Sequence, residues 1–289
     1  MSGKIVFDLT HARHDPAHCL APGLFRSLKR GDRKKLKLDV TYHYGKDDQI
    51  RFIGFEPLGA DDMRLLQGLI AFCGPKGIIL RSEPKTDMGK QLRTFLEPKW
   101  DAIEKDALVV RESIGKLLTE IGLTDGGDNI DGIKSSLLRM SNVTVQVIRG
   151  TQQSSFHLMS YAFDEADGKL FVALNPRIAE AIMGRRSHTH IEMSEVRALD
   201  TDPARLIHQR LCGWIDPGKF GRVEIETLCS YVWPNETTNA NTMKTRKQTI
   251  NRALAELATV GWSIKLYVKG KFDIGRPKTT RSNATISPQ

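Results

Sequence analysis

The last third of the chain shows a pattern of apolar positions that predicts three helices followed by a hairpin. Apolar residues recur at helical spacing in ARLIHQRLCGWI, after a cap and a proline in the stretch TDP. A β-prone piece, RVEI, leads into ETLCSYVW, which predicts a second helix, and the polar NETTNANT predicts a loop. MKTRKQTINRALAELATV predicts a third helix, whose buried face includes Ile250, Leu254 and Leu257. SIKLYV and KFDI alternate around Lys269 and Gly270 and predict a two-stranded hairpin.

The same order of elements is predicted in the first half of the chain. DDMRLLQGLIAFCG, SIGKLLTEIG and DNIDGIKSSLLRM each carry a helical apolar face, and the strand-like ALVV lies between the first two. VTVQVI and SSFHLMSY predict a second hairpin, and KLFVAL predicts a further strand. A repeat of helix, strand, two helices and hairpin is typical of tandem winged helices.

The predicted fold is therefore α+β, with two tandem winged-helix domains that each combine a helix-turn-helix with a β-hairpin wing. We expect the N-terminal domain over residues 1–180, beginning with a basic arm over about residues 1–45, and the C-terminal domain over residues 181–289. With 289 residues and a hydrophobic fraction of 40%, the chain is long and apolar enough to fill two cores.

Positive charge is concentrated in two blocks of the chain. The formal net charge is +9 at pH 7. Residues 241–289 hold ten basic against two acidic side chains, and RSLKRGDRKKLK, at residues 26–37, holds seven against one. Because phosphate neutralisation and counterion release drive binding to nucleic acids, this distribution indicates a polyanionic partner. The alternative for either block taken alone is a solvated basic face.

The predicted third helices and hairpins carry side chains suited to double-stranded DNA. An α-helix fits the major groove, where Arg and Lys prefer guanine and Gln and Asn prefer adenine, while a hairpin lies along the backbone. In the second domain the predicted contacts from the helix are Lys244, Thr245, Arg246, Lys247, Gln248, Asn251 and Arg252, and those from the hairpin, expected on phosphates, are Lys265, Lys269, Lys271 and Arg276. In the first domain they are Lys134, Ser135, Ser136, Arg139 and Arg149, and in the basic arm they are Arg30, Arg33, Lys34 and Lys35. The alternative for each of these side chains is an ordinary exposed residue.

Composition disfavours membrane and secreted proteins. The chain has no run of eighteen apolar residues, and its N-terminus lacks the apolar centre and cleavage site of a secretory signal. The four cysteines are scattered and form no C-x-x-C pair, as expected for reduced thiols. We therefore expect a cytoplasmic protein without a membrane partner.

Two stretches resemble motifs of enzymes but lack the expected context. GWIDPGKF fits the phosphate-binding pattern G-x-x-x-x-G-K, but it ends in Phe220 where Ser or Thr is needed, and it follows a predicted helix. His188 and His190 invite comparison with the metal-binding pair of tyrosine nicking nucleases, with Tyr231 as nucleophile. Thr189 between them is not the bulky apolar residue expected there, and we predict a strand between the two domains instead. We expect no catalytic residue and no cofactor; a tyrosine-dependent origin-nicking endonuclease remains the alternative.

The stretch HARHDPAHC, His11 to Cys19, holds three histidines and a cysteine within nine residues. His14 and His18 stand four residues apart, but Pro16 between them disfavours a regular helix. Structural zinc takes four ligands, usually as two pairs, and a second pair is missing here. We therefore predict an N-terminal arm that packs on the first domain and delivers the following basic block to DNA or to a partner; zinc in this stretch stays open.

Long stretches of the sequence also resemble a known family. HARHDPAHCLAPGLFRSLKRGDRKKLKLDVTY, PLGADDMRLLQGLIAF, QLRTFLEPKW, DEADGKLFVALNP, EVRALDTDPARLIHQRLCGWIDPGKFG and TLCSYVWP are similar to the RepC replication initiators of IncQ-type broad-host-range plasmids. The resemblance extends over nearly the whole chain. It is weakest at residues 124–129, 149–154 and 235–247, and the last two stretches lie beside predicted DNA contacts.

The resemblance implies a plasmid-associated bacterial protein that binds directly repeated iterons at a plasmid replication origin. It further implies melting of adjacent AT-rich DNA and loading of the plasmid-encoded hexameric helicase, with a plasmid primase as the other partner. Because several copies would bind side by side on the repeats, we also expect self-association. The resemblance brings no catalytic residues. A winged-helix transcriptional repressor is a further alternative, since it would bind DNA in the same way without acting in replication.

Overall fold

The computed structural model describes residues 7–44, 46–76, 78–80, 83–84, 86–96, 107–164, 167–235 and 239–279. Helices and strands alternate along the chain, as predicted for an α+β protein. The elements of the first part are β1 (His11–His14), α1 (Pro16–Leu20), α2 (Asp32–Lys35), β2 (Leu38–Tyr44), β3 (Asp48–Gly54), α3 (Ala60–Lys76), β4 (Ile78–Leu80), α4 (Asp87–Leu96), β5 (Ala107–Ser113), α5 (Ile114–Glu120), α6 (Gly127–Ser141), β6 (Thr144–Arg149), β7 (Gln152–His157), β8 (Met159–Asp164) and β9 (Lys169–Leu174).

The second part begins with α7 and ends in a three-stranded sheet. Its elements are α7 (Pro176–Ile182), β10 (Thr189–Glu192), α8 (Met193–Ala198), α9 (Asp202–Trp214), β11 (Phe220–Glu224), α10 (Ile225–Val232), α11 (Ala240–Thr259), β12 (Ser263–Val268) and β13 (Lys271–Gly275). We call the elements from α3 to β7 the first unit and those from α9 to β13 the second unit.

Local sequence explains where the helices of the second unit begin. The Thr201 hydroxyl accepts a hydrogen bond from the Ala204 amide (3.4 Å), and a proline follows it in the first turn of α9. The Asn239 side chain accepts one from the Thr242 amide (3.0 Å) and caps α11. Because this cap lies at residue 239, α11 starts three residues before the predicted Met243. The rest of the predicted loop at 235–242 lies partly outside the described residues.

The strands of the described residues form four antiparallel sheets. The two hairpin strands β12 and β13 pair as predicted, and β11 adds to β13, giving the order β11-β13-β12. In the first unit the hairpin β6-β7 is extended by β3 and β2, in the order β2-β3-β6-β7. The remaining sheets are β4-β5-β9-β8 and the two-stranded β1-β10.

Two predicted boundaries in the first part of the chain are wrong. The helix α3 continues to Lys76, past Gly74, where the apolar stretch DDMRLLQGLIAFCG ends. The stretch SSFHLMSY is not one strand, because β7 ends at His157 and β8 begins at Met159 in a different sheet. Because the chain leaves the first sheet at His157, this one stretch supplies an edge strand to each of two sheets.

The segment predicted as an N-terminal arm contributes strands and a helix to the core. Strand β1 pairs with β10 over the whole of its length, with His11 opposite Glu192 and His14 opposite Thr189. Helix α1 packs on α9, and β2 forms part of the first unit's sheet. Apolar side chains from both units and from this segment form one continuous buried cluster. The boundary predicted at residues 180 and 181 stays a prediction, but strand pairing crosses it.

Candidate nucleic-acid interface

The helix α11 has one buried face and one exposed face. Ile250, Leu254 and Leu257 are buried, as the apolar spacing predicts. The opposite face carries side chains that can donate to DNA, and among the residues that the structure describes, no acidic side chain pairs with Lys244 or Arg252. The exposed members of the predicted set on this helix are Lys244, Thr245, Gln248, Asn251 and Arg252.

Two predicted contacts on α11 are partly covered by neighbours. The Arg246 guanidinium donates to the backbone oxygen of Asn235 (3.0 Å) and lies 5.3 Å from the centre of the Trp233 ring. The Lys247 ammonium pairs with Glu226 on α10. Both side chains keep part of their surface exposed, so a phosphate or a base edge can still reach them.

The hairpin β12-β13 presents two lysines to solvent. Lys265 and Lys269 are exposed, and neither pairs with an acidic side chain in the part of the chain that the structure describes. Lys271 is half-buried, and its ammonium lies 3.0 Å from Glu224. Gly270 closes the turn with a φ of 80°, a left-handed conformation that glycine adopts without strain.

The start of α10 connects this hairpin to α11. The Ile225 amide donates to the Gly270 oxygen in the hairpin turn (2.9 Å). On either side of Ile225, Glu224 pairs with Lys271 of the hairpin and Glu226 pairs with Lys247 of α11. The hairpin turn and the basic part of α11 therefore lie on the same side of the second unit.

Arg276 does not belong to this surface. Its guanidinium is buried and donates to the backbone oxygens of Cys212 (2.8 Å), Ile215 (2.9 Å) and His190. These carbonyls lie at the end of α9 and on β10, where no helical partner is available. The predicted phosphate contact of Arg276 is therefore wrong: the side chain caps α9 and ties β10 to the second unit.

The corresponding helix of the first unit, α6, offers fewer free side chains. Lys134 and Ser135 are exposed, and Arg149 is exposed at the end of β6. Ser136 is buried, and Arg139 lies beside it, donating to its hydroxyl (2.8 Å). Ser136 is thus not available to DNA, contrary to the prediction.

Arg139 and Arg33 are held by the same pair of carboxylates at the start of α3. The Arg139 guanidinium lies 2.8 Å from Asp62, and that of Arg33 lies 2.7 Å from Asp61. Asp62 is fully buried and also accepts from the Gly59 amide (2.8 Å). Because these acids compensate their charge, the two arginines hold α2, α3 and α6 together and are poor candidates for DNA contacts. The other predicted members of the basic block, Arg30, Lys34 and Lys35, are exposed.

The histidine stretch at residues 11–19 is divided between surface and core. His11 is half-buried and stacks on His190 of β10, with ring centres 4.6 Å apart. The Nδ1 atom of His18 lies 2.9 Å from the Asp15 carboxylate, which also faces Arg177 (3.3 Å). His14 is fully buried, and neither of its ring nitrogens has a hydrogen-bond partner. Asp15 thus serves as cap of α1 and as counter-charge, which gives this stretch a role in packing.

A different set of metal-ligating groups converges where α8 meets α9 of the second unit. Among the described residues, Glu195, His208 and Cys212 offer ligand atoms that all lie within 4.8 Å of one another. The same His208 nitrogen lies 2.6 Å from Glu195 and 3.5 Å from Cys212, and Glu195 also accepts from Trp262 (3.0 Å). In the sequence, the spacing of His208 and Cys212 places both side chains on one face of a helix and so indicates this cluster. The Glu195 carboxylate comes from α8, 13 residues before His208, and no local pattern connects it to the other two.

The protonation of this set favours an ion pair. Burial alone would lower the pKa of His208, but the neighbouring Cys212 and Glu195 raise it to about 10. The pKa of the Glu195 carboxyl is lowered overall. Burial raises this pKa, but the opposing effects, led by the hydrogen bond with His208, outweigh burial. His208 is therefore a cation beside a carboxylate, and a metal ion would have to displace its proton.

The residues considered for nicking chemistry lie in ordinary structural surroundings. His190, on β10, lies 2.9 Å from Glu192. Tyr231, on α10, lies under the guanidinium of Arg210, 4.9 Å from the ring centre. The stretch GWIDPGKF joins the end of α9 to β11, so no helix begins after its lysine to receive a phosphate.

No helix in the described part of the chain combines the length and the apolar character that a membrane crossing requires. Such helices need about 20 predominantly apolar residues.

Comparisons with known proteins agree with the fold. The sequence model of the family described as Replication protein C (RepC) matches residues 6–278. A comparison with curated proteins found no match. Among solved structures, the chain is similar to a crystal structure of selenomethionine derivatives of domain 2 and domain 3 of RctB, with 13% identity, a TM-score of 0.55, and coverage of 92% of this chain and 99% of that one. A crystal structure of RctB domains 2-3 gives 11% identity, a TM-score of 0.51, and coverage of 90% and 95%. At these identities the likeness shows a shared fold.

Proposed function

The chain belongs to the Replication protein C (RepC) family, and from this premise we propose that it initiates replication by binding the directly repeated iterons of a plasmid origin. The family match confirms the resemblance found in the sequence. The binding of repeats, the melting of adjacent AT-rich DNA and the loading of a plasmid-encoded hexameric helicase go beyond the family match and are proposed here.

We infer that the two units are winged helices in tandem. In the second unit, α9, α10 and α11 are followed by the hairpin β12-β13; in the first, α3, α5 and α6 are followed by β6-β7. In this arrangement α11 is the helix that enters the major groove, and the hairpin lies beside it on the backbone. The order of elements supports this assignment, as does the likeness in fold to the RctB domains.

The observation that carries the proposal is the joined surface of α11 and the hairpin. Hydrogen bonds and ion pairs at the start of α10 hold Lys247, Lys271 and the Gly270 turn on one side of the second unit. Contacts from flanking cations to phosphates fix the register and orientation of a helix over the base edges in a groove. Lys244, Lys265 and Lys269 supply such cations without competing acidic partners in the described residues.

The proposed action is mechanical. Phosphate contacts supply affinity, and the exposed Gln248 and Asn251 set the register on the repeat. Several copies bound side by side would bend or wrap the DNA, and the energy of that deformation would favour opening of weakly paired DNA next to the array. Helicase and primase would then join as plasmid-encoded partners, and ATP hydrolysis would belong to the helicase.

A footprint on supercoiled plasmid origin DNA tests the proposal. We expect protection of each direct repeat at low salt, retained on the repeats and lost elsewhere at moderate salt, because phosphate contacts alone weaken steeply with salt. The same reactions, run with magnesium, should show no strand cleavage. Protection without repeat preference would contradict the proposal, and magnesium-dependent nicking that disappears in Tyr231→Phe would support the endonuclease instead.

A helicase-loading assay separates an initiator from a repressor. Purified protein, origin plasmid and the plasmid-encoded helicase should yield origin-dependent unwinding, detected as permanganate-reactive thymines in the AT-rich segment. Matched plasmids with scrambled repeats serve as the control. Tight repeat binding without any unwinding or helicase recruitment would identify a regulator of transcription.

A further inference from the structure

Three consecutive apolar side chains are exposed on strand β12. Leu266 is 65% exposed, and Tyr267 and Val268 are each 53% exposed. The strand lies at the edge of the sheet β11-β13-β12, and a bulge at Tyr267 shifts its pairing with β13. An exposed apolar run on an edge strand favours aggregation, and exposed apolar patches are typical of surfaces that bind a partner.

Basic side chains flank this run at both ends, and Asp273 of β13 stands opposite Lys265 in the strand register. Lys265 precedes the run and Lys269 follows it, both exposed and without an acidic partner among the described residues. The Arg222 guanidinium of β11 lies 4.2 Å from the centre of the Tyr267 ring. An apolar strip bordered by cations fits a partner that is apolar at its centre and anionic at its rims. The minor groove of DNA has this character, since stacked bases lie between two rows of phosphates.

The position of the hairpin agrees with such a partner. Its turn is tied to the start of α10, one residue from the Glu226 that pairs with Lys247 of α11. With α11 in the major groove, a hairpin on the same side of the unit reaches over the backbone towards the adjacent minor groove.

We propose that Leu266 and Val268 form a hydrophobic wedge that enters the minor groove beside each repeat and partly unstacks a base step. The proposal rests on the proposed function, because it requires α11 to bind duplex DNA. Lys265 and Lys269 contact the phosphates on either side of the entry point. Insertion bends the duplex, most easily at flexible pyrimidine–purine steps, and so couples binding to the deformation that precedes melting.

Pairing with a second copy through the same edge is less favourable. Antiparallel self-pairing centred on Tyr267 would place Lys265 of one copy opposite Lys269 of the other. Like charges directly opposite each other on paired strands are destabilising, and lysines on edge strands commonly prevent this association.

The test compares the wild-type chain with the double variant Leu266→Thr, Val268→Thr. Threonine keeps the β-propensity of the strand and removes most of its apolar surface. The probe is a duplex that the wild-type chain selects from a random-sequence pool, labelled with dyes at its ends and with 2-aminopurine at successive steps. Leu138→Ala, which shortens an exposed leucine (56%) on α6, is the matched control.

We expect wild type and Leu138→Ala to bend the probe and to increase 2-aminopurine fluorescence at one step. The double variant should lose both signals and keep the wild-type dependence of affinity on salt, because the phosphate contacts remain.

An unchanged bend and fluorescence in a double variant with a native circular dichroism spectrum would overturn the proposal. So would a wild-type dimer in sedimentation that becomes monomeric in the double variant, which would assign the strip to a protein contact. A wild-type chain that selects no duplex would overturn the proposed function itself.

A second measurement reports directly which groove of the bound duplex lies next to the strip. The natural cysteines Cys19, Cys73, Cys212 and Cys229 are all buried, so Leu266→Cys adds one exposed thiol for coupling to iron-EDTA. The wedge predicts strand cleavage centred on the minor groove next to the protected major groove. Cleavage centred on the major groove, or none in the bound complex, would overturn it.

Discussion

At the residue scale, the role of each charged side chain follows from where its charge is compensated. Arg276 and Arg139 carry the same group as Arg246, but carbonyls and carboxylates buried in the protein bind the first two. Removing a charge from water is costly unless the charge is paired. These two arginines are paired within the protein, so they stabilise the fold. Lys244, Lys265 and Lys269 lack such partners among the described residues and can neutralise phosphates.

The His208 and Glu195 pair should make stability depend on pH. The pKa of His208 in the folded chain is about 10, above its ordinary 6.5, so the stabilisation is fully present below pH 6.5 and is lost as the pH rises to about 10. Glu195→Gln should lower the free energy of unfolding by about 3 kcal/mol at pH 6 and reduce this dependence. Urea denaturation at pH 6 and pH 9 measures both effects. Glu224→Gln, which breaks an exposed pair, is the control; equal losses in the two variants would contradict the prediction.

His14 should contribute the opposite dependence. Burial, with the nearby His18, lowers the pKa of His14 to about 3, so the buried ring is neutral. As the pH falls below 6.5, the unfolded chain binds a proton at His14 that the folded chain does not, and the folded chain loses stability. His14→Leu should be as stable as wild type at pH 7.5 and more stable by about 2 kcal/mol at pH 5. Thermal or urea unfolding at the two pH values checks this. The exposed His43→Leu should show no such gain; a gain at His43, or none at His14, would refute the assignment.

At the element scale, α11 and the hairpin work as one surface because α10 joins them. The outward face of α11 mixes cations with amides, and these two kinds of side chain contribute differently to DNA binding. Cations bind phosphates irrespective of sequence, whereas amides discriminate between bases.

Lys244→Ala and Gln248→Ala should therefore separate affinity from specificity. Lys244→Ala should weaken binding to all sequences alike and reduce the salt slope by about 1. Gln248→Ala should leave the salt slope unchanged and cost about 1–3 kcal/mol on the preferred repeat only. Titrations on the preferred and on a scrambled duplex at several salt concentrations measure both. Identical behaviour of the two variants would show that α11 does not face the bases.

Neutralising Arg246 and Lys247 together tests the choice of helix. The double alanine variant should weaken binding by about 1–3 kcal/mol for each base that these side chains bind in the wild type. Because both side chains also touch α10 and Trp233, circular dichroism and thermal unfolding must show a native fold. Ser135→Ala on α6 is the comparison in the first unit. Wild-type affinity of the double variant for the repeats at moderate salt would exclude α11 as the reading helix.

At the scale of the whole molecule, the N-terminal segment holds the two units together. Strand β1 pairs with β10, α1 packs on α9, and the amides of Asp8 and Leu9 donate to Glu120 of α5 (2.9 and 3.0 Å). The Gln67 side chain of α3 donates to that of Gln209 on α9 (2.7 Å), which adds a direct link between the units. Their relative orientation, and with it the spacing between α6 and α11, depends on this segment.

The fragment 181–289 should therefore not fold as the full chain does. Without residues 7–25 it leaves β10 unpaired and exposes the side of α9 that α1 covers. We expect binding of a hydrophobic dye and no cooperative thermal transition, with partial recovery on adding a peptide of residues 7–25. The full chain is the control. A fragment that unfolds cooperatively without the peptide would instead support the domain boundary predicted at residues 180 and 181.

Most elements of both units could be predicted from the sequence, because periodicity and caps are local. The capped start of α9 at Thr201, the buried face of α11 and the hairpin around Gly270 depend on neighbours within a few residues. The strands β2 and β3 were missed, and so was the pairing of β1 with β10, because a strand's partner lies at any distance along the chain.

The sequence by itself determined the order of elements in the second unit and of most elements in the first, the concentration of charge in two blocks and the resemblance to the family. Only the tertiary structure decided which cations are free. Arg33 and Arg276 lie in the two basic blocks, and Arg139 lies on a helix predicted to face DNA. Folding binds them to partners 28, 64 and 77 residues away, respectively. A charge keeps its freedom to bind DNA only if folding brings no acid or carbonyl to it, and that depends on contacts that no local pattern records.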